Sequence, residues 1–308
     1  MIEKQNIVPY FRIEYVNFFQ DKTGYIKHLK IVNHDEMKNE IRIVDTSIED
    51  QIKKELKTQP GSERDRIFSK FFGAALGGIP WVGGFLTTLT DLHFDDQPKN
   101  NLLYEKWLEE HRTKMKLLGE TLYEVVKKLN EFSEEINERL ESEEYLQIVR
   151  KSFRTWDNAD TFEKRELIRK LITNAGGQKI VADDLIRLFL DWLNLYHEIH
   201  FSVIKVIYQN QNATRNEIWQ ELNGAYVRED SMEADLFKML IRDLSMGGVI
   251  RQYRATDYNG NFVKQQRKKT YSTGTLKSAF DDNEKYVLTD LGHNFVHYTM
   301  NELNTKIG

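Results

Sequence analysis

The sequence predicts a mainly α-helical protein of α+β type, and three observations carry that expectation. All four prolines (Pro9, Pro60, Pro80 and Pro98) fall in the first third of the 308 residues, so nothing after Pro98 forbids helix. From Leu118 the apolar positions Leu122, Val125, Leu129, Phe132, Ile136 and Leu140 follow at steps of three or four, which is one stripe of helical period. Before Pro60 the period is two: Phe11, Ile13 and Tyr15 alternate with Arg12 and Glu14. With 40% hydrophobic and 30% charged residues the composition is that of a globular chain, not a disordered one.

Taken in order, residues 1–48 read as a small β-meander, because the runs 25–32 and 40–44 are also rich in aromatic and β-branched residues. A short helix over 51–57 ends at Gln59-Pro60-Gly61-Ser62, the first boundary. Three parts result: 1–58, 59–195 and 196–308. The Leu118–Leu140 stripe spans only about three heptads, which favours one rib of a bundle over a projecting coiled-coil arm. A further helix starts at Asp160, where Asp160 and Glu163 have capping-box spacing, and stops at Asn174-Ala175-Gly176-Gly177. Residues 182–196 follow as a helix apolar on more than one side, hence buried among others.

The most unusual stretch is 71–90, twenty residues without a charge. As one straight helix it would be about 30 Å long, the thickness of a bilayer's hydrocarbon core. Five glycines and a central proline instead predict two short arms folded at 77–84. Gly73 and Gly77 form a small-xxx-small pair, which permits close backbone approach in a membrane or in a tight soluble core. Two readings stay open. One is a buried hairpin. In the other, Phe71, Phe72, Gly73, Leu76, Gly77, Gly78, Pro80, Trp81, Gly83, Gly84, Phe85 and Leu86 form a segment that lies on or enters a membrane. The glycines fit neither GxGxxG nor a P-loop, so no phosphate cradle is expected.

From Tyr196 on, a helix (201–208) precedes a second helix capped by Thr214 with Glu217 three residues later. A third (231–245) ends at Gly247-Gly248. A strand (249–254), a turn at Asp257-Tyr258-Asn259-Gly260-Asn261 and a return strand from Phe262 come next. The ending Tyr286-Val287-Leu288-Thr289-Asp290-Leu291-Gly292, with Phe295, Val296 and Tyr298, resembles the last strand and closing helix of a winged helix-turn-helix, a likeness covering 197–303. That resemblance implies DNA as a partner, and the charges point both ways. Residues 196–308 hold 14 basic and 14 acidic side chains, without the basic footprint of a DNA reader. The recognition segment carries Glu229, Asp230, Glu233, Asp235 and Asp243 against Lys238 and Arg242. In the wing, however, Arg251, Arg254, Lys264, Arg267, Lys268 and Lys269 oppose only Asp257.

Local signs of chemistry are few. The absence of cysteine excludes disulfides, thiol nucleophiles and iron-sulfur clusters. Asp91, His93, Asp95 and Asp96 could hold a divalent metal but read better as a solvated loop. The pairs His197/His200 and His293/His297 each share a helix face without forming HExxH, and are expected as core or cap residues. No GxSxG occurs. No enzyme, cofactor or metal site is therefore predicted.

Ser152-Phe153-Arg154-Thr155-Trp156 and Glu163-Lys164-Arg165-Glu166-Leu167-Ile168-Arg169-Lys170-Leu171-Ile172-Thr173-Asn174-Ala175 lie in a stretch, 141–300, that resembles bacterial abortive-infection proteins of the alpha type. In those proteins similar helices precede a winged-helix-like tail. The resemblance implies a defence or cell-death protein, and the uncharged run 71–90, which lies outside it, adds the expectation that a non-enzymatic protein acts at the membrane through the apolar hairpin. A DNA-binding regulator using the wing and a structural scaffold are the alternatives, with a homo-oligomer or an unknown protein as partner. A charged N-terminus without a signal-peptide core predicts a cytoplasmic chain, membrane-associated if the hairpin acts there.

Overall fold

A computed structural model describes residues 63–85, 102–224, 226–263 and 278–301, with the side chains of 102–105 and 108 left aside. All belong to one unit, Thr46–Gly308. The expected β-meander, the helix at 51–57, Leu86 and the group Asp91, His93, Asp95 and Asp96 lie outside the described residues. Those described are mainly helical, with one small three-stranded antiparallel sheet.

Helix α1 (Glu63–Gly77) and a second helical arm over 80–85 bend at Gly78-Ile79, so the break is narrower than the expected fold at 77–84 and residues 80–84 are already helical, Pro80 standing at the first helical position where it needs no N–H. The hairpin turns Ile67, Phe71, Ala74, Ala75, Ile79, Val82 and Phe85 into the core. Helix α2 (Leu102–Asn130) buries Met115, Leu118, Leu122, Val125 and Leu129, so the first part of the expected stripe is one buried seam. The second part is not the same helix. The chain leaves α2 after Asn130, turns, and restarts as a 3-10 turn (Glu134–Ile136) and α3 (Asn137–Glu141). Ser133 is extended (φ −62°, ψ 164°) and is followed by two acids in a first turn, which is a helix start inside an apolar repeat that otherwise reads as continuous. Arg64 of α1 donates to the carbonyls of Leu129 and Phe132 at 3.4 and 3.2 Å and so satisfies the open end of α2.

Helix α4 (Glu143–Asp157), α5 (Phe162–Gly177) and α6 (Asp183–Leu195) complete the bundle, with α4 packed against α1, α5 and α6. Helix α5 begins one residue later than expected. Thr161, not Asp160, is its cap, accepting from the Lys164 N–H at 3.3 Å. Arg139 grips both carboxylate oxygens of Asp183 at 2.9 and 2.6 Å, fixing α3 to the start of α6.

Two residues after α6 the chain enters α7 (Glu198–Gln209), followed by β1 (Ala213–Thr214), α8 (Arg215–Leu222), α9 (Met232–Met246), β2 (Ile250–Gln252), β3 (Lys285–Leu288) and α10 (Asp290–Thr299). The Thr214–Glu217 capping box forms as expected: Thr214 N–H donates to Glu217 Oε2 at 2.7 Å and Glu217 N–H to Thr214 Oγ1 at 3.2 Å. The strand order is β1-β3-β2, with Ala213 opposite Tyr286 and Ile250 opposite Leu288. Thus β2 pairs with 285–288, whereas Phe262, read as opening a return strand, makes only an isolated bridge to Thr256.

Helix α10 belongs to two environments. It follows β3, and it also packs along α5. There the buried Asn174 amide donates to the carbonyls of His297, Tyr298 and Asn301 at 3.3, 2.9 and 2.9 Å, and Lys170 Nζ reaches the Met300 carbonyl at 3.3 Å. These donors meet carbonyls at a helix C-terminus that would otherwise lack partners. Phe189 and Trp192 of α6 close the other side against Phe295.

Candidate functional site

The two places singled out by sequence are the hairpin and the wing. In the hairpin, Phe71 meets Phe153 edge-on at 6.2 Å, and Trp81 Nε1 donates to Asp157 Oδ1 at 2.8 Å. Trp81 and Phe85 also contact the ring of His111 on α2, at 5.1 and 6.0 Å. Phe72, Leu76 and Trp81 are half-buried against the core, and the exposed positions are Gly73, Gly77, Pro80, Gly83 and Gly84. The close approach that Gly73 and Gly77 would permit is not used in the packed chain: a Cβ on either would meet nothing within 4 Å. The close approach is made by Gly78, whose missing side chain leaves room for the Arg150 carbonyl of α4. Among the described residues no helix is long and apolar enough to cross a membrane.

The segment expected to be a wing leaves the sheet at Tyr253, whose N–H donates to the Lys285 carbonyl at 2.7 Å. Its tip is the expected turn. Asp257 Oδ1 accepts from the N–H groups of Asn259 and Asn261 at 2.9 and 2.8 Å, and Gly260 takes the positive φ (81°) that the turn requires. The Asn261 N–H is the main reason the Asp257 carboxyl is held below its ordinary range. The guanidinium carbons of Arg251 and Arg254 each lie 5.8 Å from the centre of the Phe262 ring. Neither arginine has a carboxylate partner among the described residues. Tyr253 and Phe262 are about half exposed, and Tyr258 at the tip is fully so. The result is an outward patch of cations alternating with aromatic rings. Lys264, Arg267, Lys268 and Lys269 lie outside the described residues.

No protein-family model matches this chain, and no curated protein or solved structure does either.

The acids near α9 are less free than the sequence suggests. Asp230 is gripped by Arg228 through Nε and Nη2 at 2.8 and 2.7 Å. Glu229 accepts from the Ser278 hydroxyl and from the Ala279 N–H at 2.9 Å, tying the approach to α9 to the segment before β3. Burial alone would raise the Glu229 carboxyl, but these two bonds and Lys238 hold it below its ordinary range. Along α9 the side chains of Met232, Asp235, Arg242 and Met246 are exposed, a mixed face without a surplus of positive charge.

The histidine pairs serve the fold. His197 N–H donates to His200 Nδ1 at 3.2 Å, closing the first turn of α7, and burial pushes the His200 imidazole below its usual range. His297 shares a hydrogen bond of 3.2 Å with the Gln178 side chain, and His293 lies edge-on to the Tyr208 ring. Among the described residues no group of three or more His, Asp or Glu is placed to hold a metal.

Proposed function

We propose that this chain is a non-enzymatic binding protein whose C-terminal part is a winged helix that grips nucleic-acid phosphates with its wing. The order α7-β1-α8-α9-β2-β3-α10 with sheet order β1-β3-β2 supports the winged-helix assignment. The observation that carries the functional reading is the wing patch, where Arg251 and Arg254 flank Phe262 with Tyr253 and Tyr258 exposed beside them. Cations free of acids neutralise phosphates, and exposed rings offer stacking surfaces to bases or sugars. The face of α9 has no surplus of positive charge, so phosphate contact falls to the wing rather than to that helix. The likeness of 141–300 to alpha-type abortive-infection proteins supports a setting in bacterial defence.

Changing Arg251 and Arg254 together to glutamine is expected to flatten the dependence of log K on log salt by about 1.8, since each lost phosphate contact removes about 0.9. Anisotropy titrations of a labelled duplex at several salt concentrations measure it. A parent that binds no duplex at physiological salt, or a variant with the parent's slope, rejects the reading.

A second reading, membrane action by the hairpin, is supported by its outer edge, where Gly73, Gly77, Pro80, Gly83 and Gly84 present no charge. Insertion would require Phe71, Ile79, Val82 and Phe85 to leave the core. Gly73→Asp tests it cleanly, because a side chain there meets open space in the packed state. An aspartate at bilayer depth costs about 2.5 to 3.5 kcal/mol. The expected result is loss of liposome dye leakage with the melting temperature retained. A parent that neither leaks liposomes nor sediments with them excludes the membrane role.

A further inference from the structure

Helix α4 carries a feature that neither reading uses. Between α4 and α6 lies an open cavity of about 380 Å³, within the size range of small-molecule sites. From α4, residues 147, 150, 151, 154 and 155 line it, with Asn158 at the helix's C-cap, a set spaced to share one helix face. The buried Phe153 and Trp156 point the other way, into the core. Three cations, Arg150, Lys151 and Arg154, face a single carboxylate, Asp191. Gln147, Thr155, Asn158 and Asn194 supply the remaining hydrogen-bonding groups, and none of the lining side chains is apolar.

The charges in this cavity are not balanced internally. Lys151 is committed, with its Nζ 2.6 Å from Asp191 Oδ1 and 3.1 Å from the Arg187 carbonyl. Arg150 is only loosely held, 3.9 Å from Glu143. Arg154 is exposed and has no ion pair among the described residues. With Asp191 matched by Lys151, two guanidinium groups remain for a ligand, one helical turn apart on the same face. Guanidinium forks suit the paired oxygens of a phosphate, and amide side chains suit the hydroxyls or ring edges of what the phosphate is attached to. The lining side chains carry a net positive charge, which disfavours a cationic occupant, and the aliphatic stems of Arg150, Lys151 and Arg154 form the apolar part of the wall.

We propose that the α4–α6 cavity binds a phosphorylated small molecule, with Arg150 and Arg154 on the phosphate and Asn158 and Asn194 on the remainder. The same stretch of α4 holds the hairpin from its opposite side, through the Arg150 carbonyl against Gly78 and Asp157 on Trp81. Occupancy therefore stabilises the helix on which the hairpin is seated.

The test uses the full chain, with inorganic phosphate, pyrophosphate and AMP as probes in calorimetric titration and thermal unfolding at fixed ionic strength. Pyrophosphate or AMP is expected to titrate and to raise the melting temperature. Arg154→Gln and Arg150→Gln, both at surface side chains, are each expected to weaken that binding at least ten-fold. Arg254→Gln in the wing leaves it unchanged, which separates this site from the nucleic-acid reading. The proposal fails if no probe gives heat or a thermal shift, or if Arg154→Gln binds as the parent does. It also fails if only duplex DNA binds in an Arg154-dependent way, since the face would then belong to a nucleic-acid surface.

Discussion

Asn174→Asp is expected to lower stability by about 3 to 5 kcal/mol, the scale of a buried charge left without a partner. Asn174 is 2% exposed, and its amide points at three carbonyls at the end of α10. A carboxylate of the same shape would face those oxygens with no proton to give, at the negative pole of a helix. Asn174→Ala removes the bonds without adding charge and is expected to lose only about 1 to 3 kcal/mol. The two variants also differ in pH dependence. Burial beside carbonyls raises the introduced carboxyl in the folded state, so the folded form binds the proton more tightly than the unfolded chain does. The penalty is therefore smallest below the unfolded value near about 4 and grows as pH rises through the folded one. Urea midpoints at several pH values measure this. A flat, alanine-like profile for Asn174→Asp means that the amide donates little.

Gly78→Ala and Gly77→Ala are expected to differ in sign. A methyl at Gly78 would collide with the Arg150 backbone carbonyl, which cannot swing aside as a side chain could, so the hairpin must lift from α4. A loss of about 3 kcal/mol or more is expected, at the upper end of overpacking penalties. At Gly77 a methyl meets open space and φ is not positive, so alanine restricts the unfolded chain at no steric expense. A gain of about 0.5 to 1 kcal/mol follows. Equal midpoints for the two variants contradict the packing described for the bend.

Features set by adjacent residues were legible in the sequence, and those set by distant ones were not. The hairpin bend, the Thr214–Glu217 box and the Asp257–Gly260 turn are each determined within a few residues, and each is found where residue type demands it. The break after Asn130 was hidden because Phe132, Ile136 and Leu140 keep the helical period across a turn that Ser133 begins. Gly73 and Gly77 have the spacing of a packing motif, yet which glycine packs depends on where α4 lies. After β2 the arginines were visible as a basic run, but their placement 5.8 Å from the Phe262 ring depends on the turn that brings 262 back toward 251–254. The cavity's cations carried one missed signal, Arg150, Lys151 and Arg154 on a single face. What made them a lining was α6, which supplies Asp191 and Asn194.

The clasp between Asn174 and the end of α10 also sets an order of events during biosynthesis. Its furthest acceptor, Asn301, is made 127 residues after Asn174. At translation rates of about 5 to 20 residues per second, α5 waits roughly 6 to 25 s for that acceptor. Throughout that interval the amide is solvated and the strip of α5 destined for α10 has no cover. During synthesis the bundle is therefore incomplete along this strip of α5 until α10 has been made.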